Sequence, residues 1–186
     1  MGAILEPFLH NLRTKKIRKY ILPKTRVCDI GCGKNAEFLG SIKSFISEGV
    51  GYDREAENAQ EGNIIFKKAQ IIKEIPEPSD SFDCVTMLAV LEHLDYPQEI
   101  LRESFRILKG GGQLLLTTPA KVAKPILEFL SFKLGIVSPE QIKDHKNYFN
   151  ELQLRQALVD AGFKESNTTI KKFEFGVNLF ARAIKV

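Results

Sequence analysis

Two hydrophobic rhythms alternate along this chain: short unbroken apolar runs, and longer stretches with apolar residues three or four apart. Residues 4–20 carry the helical rhythm until Pro23 ends it. Residues 26–30 form a brief apolar run stopped by Gly31, as a buried strand would. Helical spacing returns over 35–47 through Phe38, Leu39, Ile42, Phe45 and Ile46. Strands are predicted over 49–52, which leads into Asp53, and over 63–66. A polar loop with Pro76, Pro78 and Ser81 precedes residues 82–88, whose nearly continuous apolar character suits a central strand covered on both faces. A helix is predicted over 97–108, closed by Gly110, Gly111 and Gly112, and a strand over 113–118. Residues 126–136 are helical and strongly apolar, and a polar loop surrounds His145. Residues 152–161 read as a helix ending at Gly162, a natural residue for a left-handed cap. Two β-rich runs, 163–170 and 173–184, finish the sequence.

Strands alternating with helices at this spacing predict a mostly parallel sheet with helices on both faces. The gap between the last two strands is too short for a helical crossover, so that pair should be antiparallel. The length of 186 residues fits a single domain spanning residues 1–186, with an N-terminal helical segment at 1–22. A hydrophobic content of 44% and a charged content of 27% are those of a globular chain with a core of its own. No run approaches the ~18 apolar residues that would span a bilayer, and Glu6 and Pro7 interrupt any signal-like start. Met1-Gly2 lacks the Ser or Thr that myristoylation needs where Glu6 stands. A cytoplasmic location is therefore expected. Cys28, Cys32 and Cys84 cannot all pair, and Cys28-x-x-x-Cys32 with three histidines in the chain makes a poor zinc site, so reduced thiols and no metal are expected. The net charge of +4 is mild, and the densest basic stretch, residues 13–19, reads as a solvated helix face.

The candidate chemistry begins at Val27-Cys28-Asp29-Ile30-Gly31-Cys32-Gly33. A strand runs into a glycine turn that opens a helix, the setting of a cofactor-binding loop. Ala36 stands where a dinucleotide fingerprint has its third glycine, and Asn35, which tolerates positive φ, lies within the loop. Asp53 ends the second strand at the distance where an acid accepts ribose hydroxyls, which suits any adenosine cofactor. Asp29 separates the candidates. Its negative charge opposes a pyrophosphate at this turn but complements an ammonium or sulfonium. The bland alternative for Asp29 is a carboxylate that only caps the turn.

These residues resemble motif I of the class I S-adenosylmethionine-dependent methyltransferases. Ser81-Phe82-Asp83-Cys84-Val85, Leu91-Glu92-His93-Leu94 and the run from Arg106 to Gly112 are similar to the later motifs of its small-molecule branch, the ubiquinone-biosynthesis-like or type 11 methyltransferases. Asp144-His145 with Tyr148-Phe149 resembles the substrate-side loop of that branch. The resemblance covers residues 25–185 and implies a Rossmann-like three-layer α/β sandwich. Its seven-stranded, mostly parallel sheet would have strand order 3-2-1-4-5-7-6 with strand 7 antiparallel. It also implies S-adenosyl-L-methionine as cofactor, with Asp29, Gly31, Cys32 and Gly33 at the methionine moiety and Asp53 on the ribose. Arg54 would flank the adenine, Leu88 and Ala89 would offer backbone groups, and His93 would lie near the methyl-transfer region. Gln70 stands where the family commonly has Asp to accept the adenine amino group, and a neutral amide oxygen is the weaker acceptor.

Methyl transfer from a sulfonium asks the protein to align the acceptor, exclude water and, where needed, take a proton. His145 and His93 are the candidate bases, because histidine titrates near neutrality; for His93 the alternative is a helix-start residue bonded to backbone, and Glu92 reads as structural. Residues 120–150 fall where this family builds its substrate lid. Ile126, Leu127, Phe129, Leu130, Phe132 and Leu134 encircle a helix more completely than one buried stripe requires. That favours an apolar acceptor pocket, or contact with a membrane surface or partner, over plain packing on the sheet. Thr86-Met87-Leu88-Ala89-Val90 occupies the place where methylases of exocyclic amines carry an Asn/Asp-Pro-Pro-aromatic turn, which argues against a nucleic-acid substrate. The resulting expectation is methyl transfer to O or C of a small, lipophilic acceptor. The alternative is a non-catalytic cofactor-binding or regulatory protein of the same fold.

Overall fold

A computed structural model of the protein describes residues 5–122 and 146–186. The apolar stretch 126–136 and His145 lie outside the described residues. Helix α1 (Leu5–Arg18) is followed by β1 (Arg26–Ile30), α2 (Glu37–Ile42), β2 (Glu48–Asp53), β3 (Ala59–Glu61), β4 (Ile64–Lys68) and β5 (Phe82–Leu88). After a single 3-10 turn (Leu91–His93) come α3 (Pro97–Ile107), β6 (Leu108–Pro119), α4 (Glu151–Asp160), β7 (Thr168–Phe173) and β8 (Asn178–Ile184). The strands form one sheet in the order β3-β4-β2-β1-β5-β6-β8-β7. β1 is parallel to β2 and β5, β2 to β4, and β5 to β6, whereas β8 is antiparallel to both β6 and β7. Set aside β3, and the order is the expected one.

The eighth strand corrects the sequence expectation. Ala59–Glu61 is short, polar and exposed, so it lacks the hydrophobic pattern that marks a strand. It exists because Gly62 at φ 64 turns the chain with Asn63, pairing Glu61 with Ile64 as an antiparallel edge. The Asn63 side chain also donates to the carbonyls of Lys43 and Ile46 at 2.9 and 3.0 Å. Those contacts finish α2 well short of the expected residue 47. Gly40 and the Ser41 hydroxyl, which bonds back to the Phe38 carbonyl at 2.7 Å, further weaken that helix. The first of the last two strands also starts later than predicted. Phe163 leaves the sheet to pack edge-on against Phe105, with ring centroids 5.0 Å apart.

Two cores flank the sheet. One gathers Ile30, Val85, Met87, Leu101, Leu116 and Phe163 beneath α3 and α4, and the other packs Ile17 of α1 with Phe38, Leu39, Leu115 and Phe180. The three-layer arrangement follows. Cys28 belongs to the first core and Cys84 to the second, on which Cys32 also packs, so the Cys28-x-x-x-Cys32 pair does not converge, and all three thiols are free. The order of neighbours reverses around β1, with β2 on one side and β5 on the other. At such a switch point the crevice outside the carboxyl ends of the strands receives ligands.

Helix α4 starts with a reciprocal cap: the Asn150 side chain accepts from the Gln153 amide at 2.8 Å, and the Gln153 side chain accepts from the Asn150 amide at 3.1 Å. Replacing Asn150 with Ala should cost about 1 kcal/mol of stability, read as a fall of a few degrees in Tm by differential scanning calorimetry, because one helix-end amide loses its acceptor.

Candidate functional site

The carboxyl ends of β1, β2, β4 and β5 surround a cavity of about 460 Å³. Gly31 and Gly33 form one wall, Asp53 and Arg54 a second, Gln70 and Ile71 a third, and Leu88, Ala89 and His93 the fourth. A smaller cavity of about 210 Å³ lies on the other side of the glycine turn, sharing Gly31, Gly33 and Leu88 with the first and adding Asp29 and Cys32. Every residue expected at the cofactor therefore borders one of the two cavities, and His145 lies outside the described residues.

The glycine turn is fixed by its own amides. Gly31 and Cys32 both donate to the Tyr52 carbonyl, at 2.8 and 3.1 Å, and Gly33 donates to the Asp53 carboxylate at 2.9 Å. Gly31 has φ 71, and a Cβ there would fall 2.4 Å from Cγ2 of Val90, so both backbone and space demand glycine. Gly33 also has a left-handed φ, of 74, but a Cβ there would meet nothing within 4 Å, so its open side faces the cavities. The Cys32 thiol turns inward. It rests on β2, where a Cβ on Gly51 would lie 2.7 Å from the sulfur, and burial pushes its pKa far up.

Asp53 does two things at once. Besides the Gly33 amide, it accepts the Glu55 amide at 2.8 Å, which orients the carboxylate. A carboxylate has about four acceptor positions, so two remain for a pair of hydroxyls. The Asp53 carbonyl also receives the Ala69 amide at 3.0 Å, drawing the turn that carries Gln70 toward the cavity. Gln70 and Arg54 are exposed at its edge. Across the cavity Ala89 adopts φ 55, unusual for a residue with a Cβ, and its amide donates to the Thr117 carbonyl at 3.0 Å. That kink ends β5 and turns the chain into the 3-10 helix that presents His93.

Asp29 is 1% exposed and accepts the Thr86 hydroxyl at 2.6 Å. Burial pushes its carboxyl up to about 7, the Thr86 hydrogen bond pulls it back, and the Asp53 charge adds to the rise. A buried carboxylate poised near neutrality is an acceptor for a cation. Glu92 is buried as well. It accepts the Thr118 hydroxyl at 3.2 Å, while its carbonyl takes the amides of Lys146 and Asn147, so its place is structural. The segment thus docked is part of the expected substrate-side loop, but sequence reasoning missed Lys146, which pairs with Asp95 at 2.6 Å on the cavity rim. It also missed His10, which α1 brings to the smaller cavity. No local motif marks either one, because both depend on tertiary approach.

The residues present suit an adenosine sulfonium. With the amides of Gly31, Cys32 and Gly33 all given to protein acceptors, the turn has no N–H cradle there for a pyrophosphate, and two carboxylates stand beside it. Fold and site together define a nucleoside-binding α/β domain of the methyltransferase kind. The chain belongs to the methyltransferase domain family, which it matches over residues 4–166. It is 28% identical to the ubiquinone/menaquinone biosynthesis C-methyltransferase UbiE of Ectopseudomonas mendocina, over 100% of this chain and 83% of that protein. It is 35% identical to the mitochondrial ubiquinone biosynthesis O-methyltransferase of Candida albicans over 50% of this chain, spanning 32% of that protein's length. An S-adenosylmethionine-dependent methyltransferase from Mesorhizobium loti shares the fold at 16% identity and TM-score 0.70, over 95% of this chain and 100% of the other. The family implies S-adenosylmethionine as the cofactor.

Because the folded pKa of Asp29 lies above the unfolded value near 3.9, its burial is harmless below that value. The cost grows as pH rises and is complete above about 7. Asp29→Asn does not titrate and keeps an acceptor for Thr86. At pH 8 it should be more stable than the native protein by about 1–3 kcal/mol, with the difference vanishing near pH 4; urea unfolding at the two pH values measures this.

Proposed function

We propose that the protein transfers a methyl group from S-adenosylmethionine to O or C of a small, lipophilic acceptor. The observation that carries this reading is the self-satisfied glycine turn between two cavities, with Asp53 on the nucleoside-sized one and buried Asp29 on the smaller. When bound, the sulfonium cofactor supplies a methyl group already activated for in-line displacement. Asp29 holds the charged amino-acid end, the main chain of Gly31, Cys32 and Gly33 lies along it, and Asp53 takes the ribose hydroxyls. Arg54 and Gln70 border the base, with the Gln70 amide as the acceptor for its amino group. Leu88 and Ala89 supply main-chain groups, and the left-handed Ala89 sets where they point.

The acceptor enters on the side of Val90, His93 and Leu94, where apolar surface meets one imidazole. His93 accepts the acceptor's proton where one must leave; His145 is the second candidate base and falls in the substrate-lid segment 120–150. Val90 and Leu94 on that side favour a flat, lipophilic ring, in line with the quinone chemistry in the names of the relatives. Among the described residues no helix is long and apolar enough to cross a membrane, so a lipophilic acceptor would be reached at a membrane surface or delivered in water. Three free cysteines agree with a reducing, cytoplasmic setting. Against this stands the reading of a cofactor-binding protein without turnover. It draws on a single observation, that among the described residues His93 is the one histidine bordering the larger cavity.

Two measurements test the proposal. Incubation with methyl-labelled S-adenosylmethionine and demethylated quinols should move label into the organic phase; tight cofactor binding with no transfer to any lipid extract would favour the non-catalytic reading. Asp53→Asn should weaken binding of S-adenosylhomocysteine by roughly tenfold to a hundredfold, since charge-assisted hydrogen bonds worth about 1.5–3 kcal/mol each become neutral ones. Unchanged affinity in calorimetry would remove Asp53 from the ribose.

A further inference from the structure

The smaller cavity has a wall that the glycine turn does not supply. Helix α1 reaches it through His10, which joins Asp29, Lys34, Asn35 and Glu37 around about 210 Å³. The Nδ1 of His10 lies 3.7 Å from Oε2 of Glu37, longer than a hydrogen bond, so that contact does not commit the ring. Two acids and two basic side chains thus border one small cavity, with Asp29 buried on β1 and His10 on a different element. Such an arrangement complements a ligand end that carries both charges. Its ammonium would sit at Asp29 and its carboxylate at the imidazole and Lys34.

From this geometry we infer that α1 completes the cofactor site, with His10 as the hydrogen-bond donor that recognises the carboxylate of an α-amino-acid end. The inference rests on the sulfonium-cofactor reading and adds a specificity-determining residue to it. It gives α1 a role beyond packing. Ile17 anchors the second half of the helix in the core, and His10 in its first half borders the cavity beside the glycine turn, where the ligand's carboxylate would hold it. Glu37 opposes that carboxylate, so its charge sets a limit on affinity instead of contributing to it.

S-adenosylhomocysteine and 5′-methylthioadenosine separate this role from a structural one, because the second lacks the amino-acid end and keeps the nucleoside. The native protein should bind S-adenosylhomocysteine more tightly than methylthioadenosine in calorimetry. His10→Ala should lose about tenfold for the first and less than twofold for the second, as one charge-assisted hydrogen bond predicts. His10→Gln, which keeps a donor, should recover part of the loss, and Glu37→Gln should leave the affinity unchanged or raise it. Equal losses for both ligands in His10→Ala would make the residue structural and overturn the inference, as would no loss for either. A native protein that binds neither ligand would overturn the cofactor reading itself, an outcome distinct from those.

Discussion

The Tyr52 carbonyl is the acceptor on which the site depends. By receiving the amides of both Gly31 and Cys32, it ties the turn after β1 to the end of β2, and the next side chain, Asp53, catches Gly33. Three consecutive amides of a glycine loop are thereby satisfied within the protein. In a loop built for phosphate the same groups would be held open toward the ligand. The consequence is chemical. The turn keeps its shape and its close approach but offers no pyrophosphate cradle at these amides, and the charges beside it are negative.

The electrostatic setting follows from where the sheet puts its acids. Asp29 lies within β1, flanked by β2 and β5, so it is buried, and the Thr86 hydroxyl eases that burial. Its carboxyl sits near 7, between the fully charged and fully neutral forms. On the proposed function a bound cation would stabilise the charged form and relieve that cost, so stability and binding would conflict at this residue, as is common where a fold gives up stability for function.

Most of the scaffold was legible in the chain because apolar runs and glycine punctuation coincide with the strands. Residues 26–30 and 82–88 became β1 and β5 with no change of boundary, and the left-handed Gly162 lies where the end of a helix required it. The misses share one cause, a deciding contact distant in sequence, except for β3, whose turn is local. The edge strand β3 has no hydrophobic signature and depends on the turn at Gly62, although Gly-Asn between two short runs is a hairpin signal that could have been used. Helix α2 is cut short by the Asn63 side chain, and Phe163 leaves the sheet for Phe105. At the site, Asp29, Gly31, Gly33 and Asp53 announced themselves by type and spacing. His10 and Lys146 did not, because helix α1 and the segment after residue 145 reach the cavities only once the sheet is assembled.

The central claim, a glycine turn whose occupied amides and neighbouring acids select a phosphate-free cationic nucleoside, is tested most directly by calorimetric titration with S-adenosylmethionine and with NAD under the same conditions. The account predicts one-to-one binding of S-adenosylmethionine in the micromolar range or tighter, and no measurable heat from NAD at millimolar concentration. Comparable affinity for NAD would contradict it, because a pyrophosphate would then be held beside Asp29 and Asp53 by amides that the structure assigns to Tyr52 and Asp53.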